Sequence, residues 1–241
     1  MFPSTQIQIA ADTDSSSVAH VMRVVNNHIR SNRLKPGMSI LGETSFAAEA
    51  GVSRAVVREA FQSLAALGII EIGNGRKPRV GLIDHNVLPL VIDHAVQTDQ
   101  VSIQQIYDVR RTIEMRTVGL AALRRTEQEA TEISDLGAAM RKDLLRPHLI
   151  MEHDIAFHEA IATASRNPLF ALIVSAFHVV TRQTWQISWA GRRAEADRLA
   201  IIACHQQIAA AIETRDAPAA ETAMAEHFDS SVKVPLEAGV I

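Results

Sequence analysis

Within 18–32 the apolar residues Val21, Val24, Val25 and Ile29 return every three or four positions. That is the period of a helix with one buried face. Leu34-Lys35-Pro36-Gly37 ends the pattern. A short helix is expected over 45–50, then a turn at Gly51, then a third helix over 54–67. Ser53 stands in the N-cap position and Gly68 stops that helix. Val57, Phe61 and Leu64 share its inward stripe. The IIEI run at 69–72 reads as a strand and the GNG at 73–75 as a hairpin turn. Arg79-Val80 is a short return strand, kept marginal by Pro78. Helix, helix, turn, helix and hairpin make a winged helix-turn-helix over 18–81.

On either side the pattern changes. Residues 1–17 are polar and without period, and a disordered arm is expected there. A linker over 82–100 holds Pro89 and the helical-looking VIDHAV. Beyond it the helical period continues over 102–125, 127–145, 149–165, 168–189, 194–215 and 217–235. Pro147, Asn167-Pro168, Gly191 and Asp216 punctuate it. No strand pattern and no internal repeat interrupts the run, so 101–235 is expected to be an antiparallel helical bundle. The fold class is mainly α: an N-terminal winged helix-turn-helix plus a C-terminal all-α bundle.

Composition sharpens this. The chain has 241 residues, 47% hydrophobic but only 4% aromatic, a balance that favours packed helices over a sandwich or barrel. No apolar run reaches membrane-spanning length and the start lacks a secretory pattern. The single cysteine, Cys204, excludes an internal disulfide framework. A cytoplasmic location is expected. The net charge of −3 hides an asymmetry: 18–81 carries nine basic and four acidic residues, a net of +5, and the remaining 15 basic and 23 acidic residues leave −8. A basic module joined to an acidic body points to a polyanion partner for the first part.

The chemistry follows the same division. Arg54, Arg58 and Gln62 stand at successive steps of four on the third helix, where arginines reach guanine edges or phosphates in a major groove. Arg76 and Lys77 flank the glycine-rich turn of the wing and suit the phosphate backbone or minor groove. In the bundle, HDIAFHEAI sets Asp154 and His158 one helical turn apart on one face. His205 and His227 lie in similar apolar surroundings on later helices. Three imidazoles and a carboxylate form a borderline-soft set open to zinc, nickel, manganese or iron. Solvated arginines, and histidines satisfied within the core, are the plain alternatives for these residues taken singly.

Two family resemblances cover most of the chain. The stretch from Pro36-Gly37 through GVSRAVVREAFQSLAALGIIE resembles the winged helix of GntR-family bacterial transcription regulators. It matches at Glu43, Val52, Ser53, Arg54, Val57, Arg58, Glu59 and Ala60. It departs at Leu41-Gly42, where Pro-Ser is usual, and at Thr44, which replaces a DNA-touching arginine. The helical half resembles the FCD effector domain of the FadR subfamily. Its Asp-x-x-x-His pair and two later histidines match Asp154, His158, His205 and His227. That resemblance implies a non-catalytic divalent metal ion, zinc first, with positions left for a small carboxylate effector. It implies that Arg110, in YDVRRTIE, faces that ligand, and it matches Glu114, read here as structural. The run TRQTWQISWAG resembles members answering to sugar acids. Trp189 is a candidate pocket wall, with Trp185 the alternative, and Arg182 a further candidate.

The resulting expectation is a homodimeric regulator, not an enzyme, that binds double-stranded operator DNA under control of a small carboxylate, with repression the expected sign. Two alternatives stand beside it. One is a regulator whose metal is purely structural. The other is a metal-dependent hydrolase or isomerase fused to a DNA-binding module.

Overall fold

The computed structural model describes residues 6–73, 75–82 and 86–237. Among the described residues there are eleven helices and one two-stranded sheet. The chain divides into two compact units, Met1–Val87 and Leu88–Ile241. Among the described residues no helix is long and apolar enough to cross a membrane.

The first unit is built from α1 (Gln6–Ser31), α2 (Glu43–Ala50), α3 (Arg54–Ala66) and a hairpin of β1 (Ile70–Glu71) and β2 (Arg79–Val80). Val21 and Val25 of α1, Phe46 of α2, and Val57, Phe61 and Leu64 of α3 form its core with Ile70 and Val80 of the hairpin. Phe46 meets Phe61 edge to face, 5.7 Å between ring centroids. The turn between α2 and α3 rests on Gly51, whose φ of 67° falls in the left-handed region that a side chain disfavours. Ser53 then caps α3, its hydroxyl accepting from the Val56 N–H at 3.4 Å. In the hairpin Ile70 pairs with Val80 and Glu71 with Arg79, antiparallel. Asn74, at the centre of the expected GNG turn, lies outside the described residues.

Two features depart from expectation here. The helix expected to open at 18 begins at Gln6, so the arm expected over 1–17 is largely helix; residues 1–5 lie outside the described set. After Pro3 the run has neither proline nor glycine, and extending a formed helix adds one hydrogen bond per residue fixed. The wing is also broader than the sequence suggests. Val80 N–H donates to the Met38 carbonyl and Ile40 N–H to the Pro78 carbonyl, so 38–40 lies along β2.

The second unit comprises α4 (Val87–Gln97), α5 (Ile103–Arg124), α6 (Glu127–Lys142), α7 (Pro147–Ala164), α8 (Pro168–Ala176), α9 (His178–Gly191), α10 (Glu195–Glu213) and α11 (Ala217–Glu237). Most of the expected linker is therefore helix, and Ile92 and Val96 of α4 pack on the bundle core. Ser102 and Thr126 open α5 and α6 with reciprocal capping boxes to Gln105 and Glu129. α5 packs against α7 and α11, and α10 against α6 and α11.

The helix expected over 168–189 is two helices, broken at Phe177. The cause is competition for backbone carbonyls. Ser175 Oγ donates to the Leu172 carbonyl at 3.0 Å, and the His178 ring Nδ1 reaches the Ser175 carbonyl at 2.6 Å.

Candidate functional site

On the first unit, Arg54, Arg58 and Gln62 lie exposed on α3, as do Arg76 and Lys77 on the wing. Arg54, Arg76 and Lys77 line one groove with Thr44 and Gly75. Glu43, in the first turn of α2, takes both arginines of α3. Arg58 donates through Nε at 3.4 Å and Nη2 at 3.3 Å, and Arg54 Nη2 lies at 3.9 Å. With side chains 60% and 63% exposed, these pairs are weak and exchangeable. Ser53 Oγ accepts at the helix cap.

In the bundle, Asp154 and His158 on α7, His205 on α10 and His227 on α11 converge. All four are buried, and one ligand atom from each lies within 4.8 Å of the others. Two atoms bound to one ion at about 2.1 Å stand at most ~4.2 Å apart. To hold an ion, the cluster would have to contract.

The surroundings fix the tautomers. His205 Nδ1 faces the Ile201 carbonyl at 2.8 Å, which only accepts, so this nitrogen carries the hydrogen. Its Nε2 lies 2.9 Å from Asp154 Oδ1. A bare imidazole nitrogen against a carboxylate is acceptor against acceptor, so a cation must stand there, either a proton or a metal ion. His158 repeats the arrangement: Nδ1 meets Glu114 Oε2, while Nε2 has no hydrogen-bond partner and lies 4.0 Å from Asp154 Oδ1. Nδ1 of His227 is buried without a partner. Histidines that spend Nδ1 on an acceptor and present Nε2 inward are the usual metal-ligating form.

Electrostatics agree with the geometry. Burial opposes ionisation of Asp154, yet the His205 hydrogen bond and the other imidazoles hold its carboxyl well below the usual range. Burial, then His205 and His158, pushes His227 well below an ordinary histidine and keeps its imidazole neutral. Burial would also lower His158, but the Glu114 carboxylate outweighs it and raises it.

A small cavity of about 50 Å³ adjoins the cluster. Asp154, His205, His227 and Arg110 all line it. Arg110 is buried, donates Nε to Glu114 Oε1 at 2.9 Å, and gives Nη1 to Thr181 Oγ1 at 3.0 Å. Trp189 and Trp185 both line the cavity and stack on each other at 5.6 Å. Trp185 Nε1 donates to the Pro147 carbonyl at 2.9 Å.

Arg182 is a correction. It lies on the surface in a two-pronged pair with Glu152, not at the cavity. The reason is register: Thr181, Thr184, Trp185, Ser188, Trp189 and Arg192 form the cavity stripe of α9 and its C-cap, and Arg182 falls behind it. That stripe also supplies what was missed, the buried Arg192. Serine, threonine and tryptophan recurring at helical spacing was the available signal. Glu114, expected to be merely structural, joins Arg110 to His158.

Comparison with known proteins bears on this arrangement. Residues 105–230 match the FCD domain and residues 18–80 match the family described as bacterial regulatory proteins, gntR family. The chain belongs to the GntR family of bacterial regulators and carries an FCD domain. It is 30% identical over 204 residues to the HTH-type transcriptional regulator LutR of Bacillus subtilis (strain 168), spanning 83% of this chain and 92% of that one. It is 27% identical over 204 residues to the galactonate operon transcriptional repressor of Escherichia coli (strain K12), spanning 82% and 87%. Among solved structures, Streptococcus agalactiae GntR superposes with a TM-score of 0.63 over 90% of this chain and 99% of that one. At 22% identity that likeness concerns the fold. The protein is a DNA-binding transcriptional regulator of GntR/FCD type, and its relatives are regulators, not enzymes.

Proposed function

We propose that this GntR/FCD regulator binds its operator as a homodimer and releases it when a small carboxylate enters the bundle cavity. The observation that carries the reading is a buried chain of contacts, Thr181–Arg110–Glu114–His158, running from the cavity wall to the histidine cluster. Asp154, His158, His205 and His227 would hold a divalent ion, zinc first for its preference for nitrogen donors, with a coordination position left for the effector. When bound, that ion supplies a positive charge for one carboxylate oxygen. Arg110 presents a planar fork suited to the same carboxylate, and Glu114 fixes its orientation. Trp189 walls the cavity. Its volume, room for a few waters at ~10–15 Å³ each, favours a short hydroxy acid over an acyl chain.

Arg54, Arg58 and Gln62 would read the operator, with Ser53 at the helix N-terminus suited to a phosphate and Arg76 and Lys77 holding the backbone from the wing. A homodimer matches a two-fold operator with a two-fold protein. The repressor sign follows the galactonate operon relative.

A thermal-shift screen of metal-loaded protein against hydroxy acids and sugar acids, repeated after EDTA, tests the reading. Stabilisation by a carboxylate that disappears with the metal is the expected result. Stabilisation that survives metal removal would move the effector away from the cluster.

A further inference from the structure

Arg110 is not the only guanidinium at the cavity. Arg192, immediately after α9, lines it as well, with 8% of its surface exposed. Its contacts differ in kind from those of Arg110. Nη1 donates to the Ser188 carbonyl at 2.6 Å and Nη2 to the Ser230 carbonyl at 3.3 Å. Both partners are neutral. Among the described residues no ion pair joins Arg192 to a carboxylate, whereas Glu114 sits directly on Arg110. Asp154 and Asp197 attract Arg192 only from beyond ion-pair distance, and a buried guanidinium, always charged, is costly without a direct ion pair. It carries five N–H donors, more than two carbonyls use.

The charges around the cavity lead the same way. Arg110 and Arg192 both line it, and among the described residues Asp154 is the one carboxylate that lines it with them. A divalent ion in the cluster would add positive charge, and a guest with two carboxylates would meet both guanidiniums. The wall also carries the hydroxyls of Tyr107, Thr184, Ser188 and Ser231, with Tyr107 and Thr184 3.4 Å apart.

We infer that Arg192 is a second anion anchor and that the effector is a short dicarboxylate, one end at Arg110 and the histidine cluster and the other on Arg192. This rests on the carboxylate-sensing reading above and narrows its ligand class. The cavity size limits the guest to a few carbons.

The test is calorimetric titration of the full-length, metal-loaded protein with three- to five-carbon dicarboxylates and with monocarboxylates of equal length. The wild type is expected to bind a dicarboxylate at least ~10-fold more tightly than its monocarboxylate partner, about 1.4 kcal/mol. Arg192→Met is expected to erase that ratio by weakening the dicarboxylate, with metal content, measured by elemental analysis, unchanged. Arg192→Lys is expected to recover part of it. A purely structural role for Arg192, clamping Ser188 and Ser230, would shift melting temperature but not the ratio. Equal binding of both classes by the wild type overturns the dicarboxylate inference alone, as does a ratio that persists in Arg192→Met. Binding of neither class overturns the carboxylate-sensing reading and this inference with it. Should Arg192→Met fail to fold, Arg192→Gln keeps a donor for the Ser188 carbonyl, and the wild-type ratio still decides.

Discussion

Arg110 donates Nε to Glu114 Oε1 at 2.9 Å, and the other oxygen of the same carboxylate meets His158 Nδ1. Two residues without direct contact are thereby held by one buried acid. Burial opposes ionisation of Glu114, but His158 and then Arg110 keep its carboxyl below the usual range, so it is charged. A change in how Arg110 is engaged alters how firmly His158 is oriented, and the reverse. This gives the cavity and the cluster a shared physical element, which coupling between two ligands requires.

Glu114→Gln keeps the shape and removes the charge. If the amide oxygen accepts from Arg110, the amide NH2 faces His158 Nδ1 and offers it a donor where an acceptor stood. Metal affinity is expected to fall about 10- to 100-fold, the usual result of losing a carboxylate behind a ligating histidine. Competition with a chromogenic chelator measures it, and an unchanged affinity would detach Glu114 from the cluster. Glu114→Ala is expected to do more, destabilising the fold by about 3–5 kcal/mol because Arg110 is left buried and unpaired.

His205→Ala with His227→Ala removes two of the four candidate ligands, from α10 and α11. The double variant is expected to retain less than one-tenth of the wild-type metal after dialysis. A stoichiometry that stays at one ion per chain would show that the ligand set lies elsewhere. The helix packing should survive, since Phe157, Ile208 and Phe228 keep the neighbourhood filled.

Legibility in the sequence followed local physics. The Asp154–His158 pair was readable because i and i+4 share a helix face. Placing His205 and His227 beside it requires the packing of α7, α10 and α11, and spacing alone left that open; the family resemblance supplied it. The winged helix was legible from Gly51, Ser53 and the Val57–Phe61–Leu64 stripe, each a local signal. The pairing of 38–40 with β2 was not, because a single isolated bridge leaves no alternation to read. The break at Phe177 depends on side chains capturing backbone carbonyls inside a continuous apolar pattern. Arg182 and Arg192 look alike in sequence, and only the register of α9 separates the surface arginine from the one at the cavity.

Acid sensitivity is expected at the α5–α6 corner. Glu127 takes buried Arg125 and exposed Arg215, and those two hydrogen bonds, Arg125 first, hold its carboxyl below the usual range. A depressed carboxylate contributes stability above its unfolded value, about 4.3, that is lost as pH falls through its folded value. Glu127→Gln resembles the protonated form. Its melting temperature is expected to lie below that of the wild type at pH 7, and the two are expected to converge as the pH falls below the unfolded value of about 4.3. A gap that is constant with pH would mean the ion pairs contribute nothing through titration.

Arg54 and Arg58 differ in their hold on Glu43, at 3.9 Å and 3.3 Å. Either would leave that carboxylate if it engaged DNA, and their exposure would make the exchange inexpensive. If Arg58 reads a guanine edge, Arg58→Ala is expected to lower affinity for the specific operator by about 10-fold or more, since a good bidentate base contact contributes about 1–3 kcal/mol. Affinity for random DNA would change far less. If it contacts phosphate instead, both affinities fall together and the salt dependence loses about one unit of slope. Anisotropy titrations of specific and scrambled duplexes at several salt concentrations separate the two. Specific affinity equal to wild type at every salt concentration would remove Arg58 from the interface. Glu43→Gln provides the complementary measurement: freeing both arginines and removing a negative charge near the phosphates is expected to tighten non-specific binding and steepen its salt dependence.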